Sequence, residues 1–314
     1  MESSRAPWTA ADLPRLTGRS VIVTGANSGL GYHTASALAA CGADVTMAVR
    51  ILDKGEAAAG EIRTLHPDAA LEVREIDLAD LASIKAFAER WSSAHHGGLS
   101  ILVNNAGIMA IPRRQTADGF EMQLGTNHLG HFALTGLLLP ALIAQPGARV
   151  VTVSSQAHRM GKMDFDDLMG SRRYRPWGAY GQSKLANLLF TTELQRRSDA
   201  AGLSLLALAA HPGYSNTNLQ SAGPTMRGSS IGARMSRMAN GVLAQSAEMG
   251  ALPTLYAATM PGLPGDTYIG PDGFMEQRGH PRIVGRSKAA HRTEDAVRLW
   301  TASEELTGVR YPFD

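Results

Sequence analysis

Three features of the sequence predict an α/β fold, a doubly wound parallel sheet with helices on both faces, in a single domain. Apolar runs of strand length recur along the chain, segments with helical periodicity separate them, and the first run ends at a glycine-rich junction that opens the first helix. The runs are SVIVT (20–24), DVTMAV (44–49), LEVREI (71–76), SILVN (100–104), ARVVTVS (148–154) and LSLLALAA (203–210). Continuous rather than alternating apolarity marks strands buried on both faces, the state of a parallel strand covered by crossover helices. YHTASALAAC and LASIKAFAERWSSA supply two of those helices. Right-handed crossovers leave few topologies, and ligands of such sheets bind beyond the carboxyl ends of the strands.

Beyond residue 210 the character changes. Residues 214–250 are rich in Gly, Ser, Met and Arg and show no strand, so a lid-like segment of loop and short helices is expected there. ALPTLYAAT (251–259) resumes a helix, and DTYIGPDGF (266–274) adds a last strand. No internal repeat or Pro-rich linker divides residues 1–314, which are expected to form one domain.

The composition is that of an ordinary globular protein: 314 residues, 44% of them apolar, with 30 basic and 28 acidic side chains for a formal charge of +2. No block of like charge offers an electrostatic footprint for nucleic acid, so the expected partner is a small molecule. The single cysteine, Cys41, has no disulfide partner and fits a reducing compartment. The N-terminal residues lack the apolar stretch of a signal peptide, and the longest apolar stretch (131–144) is short for a membrane span and carries a His and a Pro. A cytoplasmic protein without a membrane anchor is expected.

The junction after the first strand reads Gly25-xxx-Gly29-x-Gly31. A helix N-terminus presents unpaired N–H groups and the positive end of its dipole, and glycines just before it let a pyrophosphate rest on the backbone. Sites that prefer NAD(H) carry an acid after the second strand for the ribose 2′-hydroxyl, whereas an arginine there accommodates a 2′-phosphate. Here the strand ends with Val49 and Arg50, which favours NADP(H) over NAD(H). Tyr180 and Lys184 lie four residues apart on a helical pattern and therefore share one face, where the ammonium is expected to favour the phenolate and make Tyr180 an acid/base. Ser154 and Ser155, at the end of a central strand, could each place a hydroxyl near an oxygen that gains negative charge.

TGANSGLG (24–31), NNAG (104–107) and YGQSK (180–184) resemble, in order, the cofactor turn, the turn after the fourth strand and the Tyr-xxx-Lys pair of the short-chain dehydrogenase/reductase family. Asp77 and Leu78, Asn127, the 154–155 serine pair and HPG (211–213) extend the resemblance over about residues 18 to 285. It implies a Rossmann-type fold and cofactor contacts at Gly25, Asn27, Ser28, Gly29, Leu30, Gly31, Arg50, Asp77, Leu78, Asn104, Ala106, Gly107, Tyr180, Lys184, Pro212, Gly213 and Thr217. The implied catalytic set is Asn127, Ser155, Tyr180 and Lys184, with Asn127 holding a relay water, Lys184 holding the nicotinamide ribose, and a small carbonyl or alcohol as substrate. Asp77 is the implied adenine contact, with an N-cap of the following helix as the competing reading.

The long segment between Ser155 and Tyr180 resembles the branch that contains retinol dehydrogenases, WW-domain oxidoreductases and protochlorophyllide reductases. A retinoid substrate is not carried over with that resemblance. A nucleotide-binding sensor without turnover is the alternative from another functional class, although all four implied catalytic residues are present. Two weaker motifs carry no function. His128-xx-His131 lacks a third ligand at metal-binding spacing, and Gly228-Ser-Ser-Ile-Gly232 lacks the strand-to-helix setting of a nucleophile elbow. The apolar helices near 120–140 and 179–200 could pair with copies of themselves or simply cover the sheet, so a homo-oligomer is an open alternative.

Overall fold

The structure, a computed structural model, describes residues 6–215 and 245–313. The expected lid-like segment and Thr217 fall largely or wholly outside these residues. Alternating strands and helices run β1 (Ser20–Thr24), α1 (Gly29–Ala40), β2 (Asp44–Val49), α2 (Leu52–Leu65), β3 (Leu71–Glu75), α3 (Leu81–Ala94) and β4 (Ile101–Asn104). A short α4 (Met122–Leu124) passes through a π-helical turn (Gly125–Leu129) into α5 (Gly130–Ile143), followed by β5 (Arg149–Val153). A 3₁₀ turn (Gln156–Met160) leads to α6 (Pro176–Ala200), β6 (Leu206–Ala210), α7 (Ala247–Thr259), β7 (Tyr268–Pro271), β8 (Pro281–Ile283) and α8 (Thr293–Thr307).

The strands form one eight-stranded sheet in the order β3-β2-β1-β4-β5-β6-β7-β8, parallel except for β8. Successive side chains serve opposite faces, which is why the strands are apolar throughout. Val21 and Val23 of β1 join the core under α1, α2 and α7, while Ile22 between them joins the core under α3 and α5. The six runs expected from the sequence are all strands, the last of them shorter at its start than its apolar run.

Two elements went unread in the sequence. The antiparallel β8 is too short for a periodic signal, and a loop rather than a crossover helix carries the chain back to it. Helix α8 covers the outer faces of α5 and α6: Trp300 packs edge-on to Phe132 at 5.1 Å and stacks on Phe190 at 5.9 Å. The Arg197 guanidinium lies 4.6 Å from the Trp300 ring, and Tyr311 donates to the Phe132 carbonyl at 2.6 Å. The chain's own C-terminal region thus covers part of these two helices.

Strand order reverses at β1, which lies between β2 and β4. At such a switch point neighbouring crossovers leave to opposite faces and open a cleft at the carboxyl edge.

Candidate active site

A cavity of about 950 Å³ opens at that edge, running from the glycine turn after β1 to Tyr180 on α6. Gly25 and Gly29 adopt left-handed φ of 66° and 55°, which folds the turn back toward β4. A Cβ on Gly31 would strike the Gly25 carbonyl and the Asn105 side-chain amide, so α1 can start this close to β4 only with glycine at this position. Ser28 caps α1 without a side-chain hydrogen bond, so the first-turn N–H groups, which lie on the cavity at Gly29, Leu30 and Gly31, remain available to an anion. This bare cradle fits a pyrophosphate.

The far end of the cradle carries Arg50 after β2 and Asp77 and Leu78 after β3, all on the cavity. Asp77 is not the helix cap: Asp80 caps α3 by accepting from Ala82 and Ser83, while Asp77 accepts from the Ala79 N–H at 2.9 Å. Asn104 does not line the cavity. As the last residue of β4 it points inward and donates to Thr135 at 3.0 Å, and its neighbour Asn105 is the one at the cavity, donating to the Thr24 carbonyl at 2.7 Å. Strand alternation accounts for the difference, since consecutive side chains face opposite ways. Ala106 and Gly107 continue the turn along the cavity, and the Ala106 N–H donates to the Thr24 hydroxyl at 3.0 Å.

At the other end Tyr180, Lys184 and Ser155 converge. The Ser154 hydroxyl donates to the Lys184 carbonyl at 2.8 Å and so braces α6, whereas the Ser155 hydroxyl caps the following 3₁₀ turn, accepting from Ala157 at 3.2 Å, and stands beside Tyr180. Lys184 donates from Nζ to the Val153 carbonyl at 3.0 Å and lies 5.8 Å from the Tyr180 ring centre. Burial pushes the Tyr180 phenol up to about 12, with Ser155 pulling the other way, and pushes Lys184 down to about 8. Burial is the larger of the two influences on the phenol, and the ammonium that the sequence places on the same helix face lies 5.8 Å from its ring. Such a phenol keeps its proton at neutral pH.

Asn127 sits in the π-helical turn, off the cavity lining. Its Oδ1 accepts from the Ile108 N–H at 2.8 Å, and its Nδ2 donates to the Ile108 carbonyl and to Ser183, both at 2.9 Å. The side chain is committed to holding the strand-to-wall turn. Both of its amide hydrogens are thus taken by protein partners. His128 and His131, the pair at metal-like spacing, face the interior, bonded to Ser303 and to Thr24 at 2.9 Å each. Pro212 and Gly213 after β6 complete the cavity floor, against the loop that carries Gln277.

Residues beyond the expected set line the cavity as well: Ile108, Ala110, Ile111, Met160 and Trp177, with Trp177 edge-on to Tyr180 at 6.1 Å. Trp177, one helical turn before Tyr180, could have been found from its spacing. The wall after Gly107 carries no motif.

A strand-turn-helix cradle for a dinucleotide facing a Ser, Tyr and Lys set defines a nicotinamide-nucleotide-dependent dehydrogenase or reductase. Residues 19–227 match the family described as short chain dehydrogenase, and the chain belongs to that family. It is 42% identical over 297 residues to retinol dehydrogenase 12 of Homo sapiens, covering 95% of this chain and 89% of the relative. Retinol dehydrogenase 13 of Homo sapiens is 40% identical over 298 residues, covering 95% and 87%. Among solved structures, an uncharacterised protein from Mycobacterium Paratuberculosis shares 50% identity with a TM-score of 0.81, covering 98% of this chain and all of that one (100%). A short chain dehydrogenase from Burkholderia cenocepacia in complex with NADP has a TM-score of 0.61 at 25% identity, covering 81% and 96%. No helix among the described residues is long and apolar enough to cross a membrane.

Proposed function

We propose that this chain reduces a carbonyl on a small, largely apolar molecule with NADPH, Tyr180 donating the proton. The observation that carries this reading is the convergence of the buried Tyr180 phenol with Ser155 and Lys184 at one end of a cavity whose other end is a bare anion cradle. When bound, the nicotinamide supplies hydride; the chain's own residues do the rest. Ser155 directs its hydroxyl at the oxygen that gains charge, and Tyr180 delivers a proton to that same oxygen. Lys184, held by the Val153 carbonyl, places an ammonium behind the phenol and within reach of a ribose. Its positive charge stabilises the phenolate left after transfer. Arg50 at the adenosine end, with no acid at Val49, supports a 2′-phosphate and hence NADP(H) over NAD(H).

The relatives named retinol dehydrogenase support an apolar alcohol or aldehyde as the substrate class, as do Ile108, Ile111, Met160 and Trp177 along the wall. The deciding experiment follows NADPH oxidation at 340 nm, a wavelength set by reduced nicotinamide, over a panel of aldehydes and ketones. Tyr180→Phe should lower kcat by ~10² to 10⁴, the usual worth of general acid catalysis, with the Kd for NADPH little changed. A Tyr180→Phe enzyme with wild-type kcat overturns the mechanism. Tight NADPH binding without turnover of any carbonyl would instead favour the nucleotide sensor.

A further inference from the structure

The segment 161–175, between the Ser155 turn and α6, has no secondary structure to justify its length. Its Met163 joins the core, and its half-buried Tyr174 reaches the backbone behind the cavity wall. The single Tyr174 hydroxyl proton is shared between the Ile111 carbonyl at 2.9 Å and Glu121 Oε1 at 3.2 Å, and the oxygen accepts from Gln123 Nε2 at 2.8 Å. Gln123, fully buried, spends its whole amide: Oε1 accepts from the Ala110 N–H at 2.7 Å, and Nε2 also donates to the Pro176 carbonyl at 3.0 Å. Flipping that amide would set donor against donor at Ala110 and acceptor against acceptor at Pro176, so its orientation is fixed by its partners. Glu121, itself buried, locks the base of the arrangement by accepting from the Gln123 and Leu124 N–H groups at 3.0 and 2.7 Å.

Both ends of this brace lead to the cavity wall. Ala110 and Ile111 line one wall, and Ala110 is held at a left-handed φ of 51°, a strained conformation that persists only where partners enforce it. Pro176 opens α6 and precedes Trp177, which also lines the cavity one turn from Tyr180. We infer that Tyr174 and Gln123 are specificity-determining positioning residues: they fix the separation of the Ala110–Ile111 wall from the start of α6 and so select the shape of the carbonyl substrate. Neither touches the reacting atoms. The inference rests on the carbonyl-reductase reading above.

The test uses the full chain loaded with NADPH, as wild type, Tyr174→Phe and Gln123→Met. Hydrogen exchange of peptides spanning 108–112 is measured beside reduction of straight-chain aldehydes from butanal to dodecanal and of cyclohexanecarbaldehyde. Each variant should raise exchange at 108–112 by about tenfold, as expected when a buried hydrogen bond of ordinary strength is lost, with the β-sheet peptides and the Kd for NADPH unchanged. The ratio of kcat/KM between the cyclic and straight aldehydes should shift at least about fivefold through KM, with kcat on butanal retained. Unchanged exchange at 108–112 overturns the brace, and so does exchange that rises across the whole sheet, which is mere destabilisation. A loosened wall with an unaltered ratio overturns the selectivity role. A wild type inert to every aldehyde sinks the carbonyl-reductase reading and the selectivity role with it, while exchange at 108–112 still decides the brace.

Discussion

The two ends of the cavity are built by different means. The nucleotide end is made of backbone turned at the carboxyl ends of β1, β2 and β3, with glycines where a side chain has no room. The substrate end is made of side chains that reach backbone groups far along the sequence: Tyr174 to Ile111, Gln123 to Pro176 and Asn127 to Ile108. A backbone site depends on a few contiguous residues and tolerates little change within them. A braced site spreads its geometry over scattered residues, each replaceable at a cost in shape rather than in binding.

The comparison is broken most severely at Gly31. A Cβ there meets the Gly25 carbonyl and Asn105, backbone and a wedged amide that cannot both retreat, so Gly31→Val should abolish detectable NADPH binding. Titration calorimetry checks this, and binding within tenfold of wild type would show that the turn is not the nucleotide cradle.

A smaller effect is expected at Arg50, where the turn contributes charge rather than space. Arg50→Asp should weaken NADPH and strengthen NADH, narrowing or reversing the ratio of their dissociation constants. Wild-type protein that binds both equally removes the premise.

The smallest effect is on stability, and it falls at the meeting point of the two ends. Burial lowers Lys184 from 10.5 to about 8, which amounts to roughly 3 kcal/mol of disfavoured charge at about 1.36 kcal/mol per pKa unit. Below pH 8 the folded chain carries that cost in full. Between about 8 and 10.5 the folded chain has released a proton that the unfolded chain still holds, so stability rises with pH across this window. Lys184→Met removes the charge, and the Val153 carbonyl keeps Asn187 as a donor at 3.1 Å. The variant should therefore melt higher than wild type at pH 7, with the gap closing by pH 10.5, even as catalysis is lost. A lower melting temperature at pH 7 would mean that the ammonium is better solvated than its burial implies.

The same contrast decides what could be read from the sequence. The nucleotide end was legible because its residues are contiguous and their spacing is itself the mechanism: of the cofactor positions expected within the described residues, only Asn104 is off the cavity, displaced by strand alternation in favour of Asn105. The Tyr180–Lys184 pair was legible as a shared helix face, but its electrostatics were not, because helical spacing says nothing about how much water the fold removes from each group. The brace was illegible. Gln123, Tyr174 and Ile111 form no pattern in one dimension, and only the long segment after Ser155 signalled that something was being delivered there. Helix α8 went unread although its periodicity is amphipathic, because it lies beyond the stretch that the family motifs cover.

The pairing of β1 with β4 has a kinetic consequence. The Thr24 hydroxyl that receives the Asn105 and Ala106 N–H groups lies 81 and 82 residues from them in sequence, so this junction closes only after a long loop entropy has been overcome. Parallel sheets with such distant partners fold slowly, because the rewarding contacts come after the ordering cost. The nucleotide cradle does not exist in any chain that has not completed this step. A nucleotide therefore recognises only molecules that have finished folding, and at a concentration 100 times its dissociation constant it would favour them over the unfolded chain by about 2.7 kcal/mol. In this fold, loading with nucleotide follows completion of the sheet, and refolding in its presence should give a higher yield at the same rate of sheet closure.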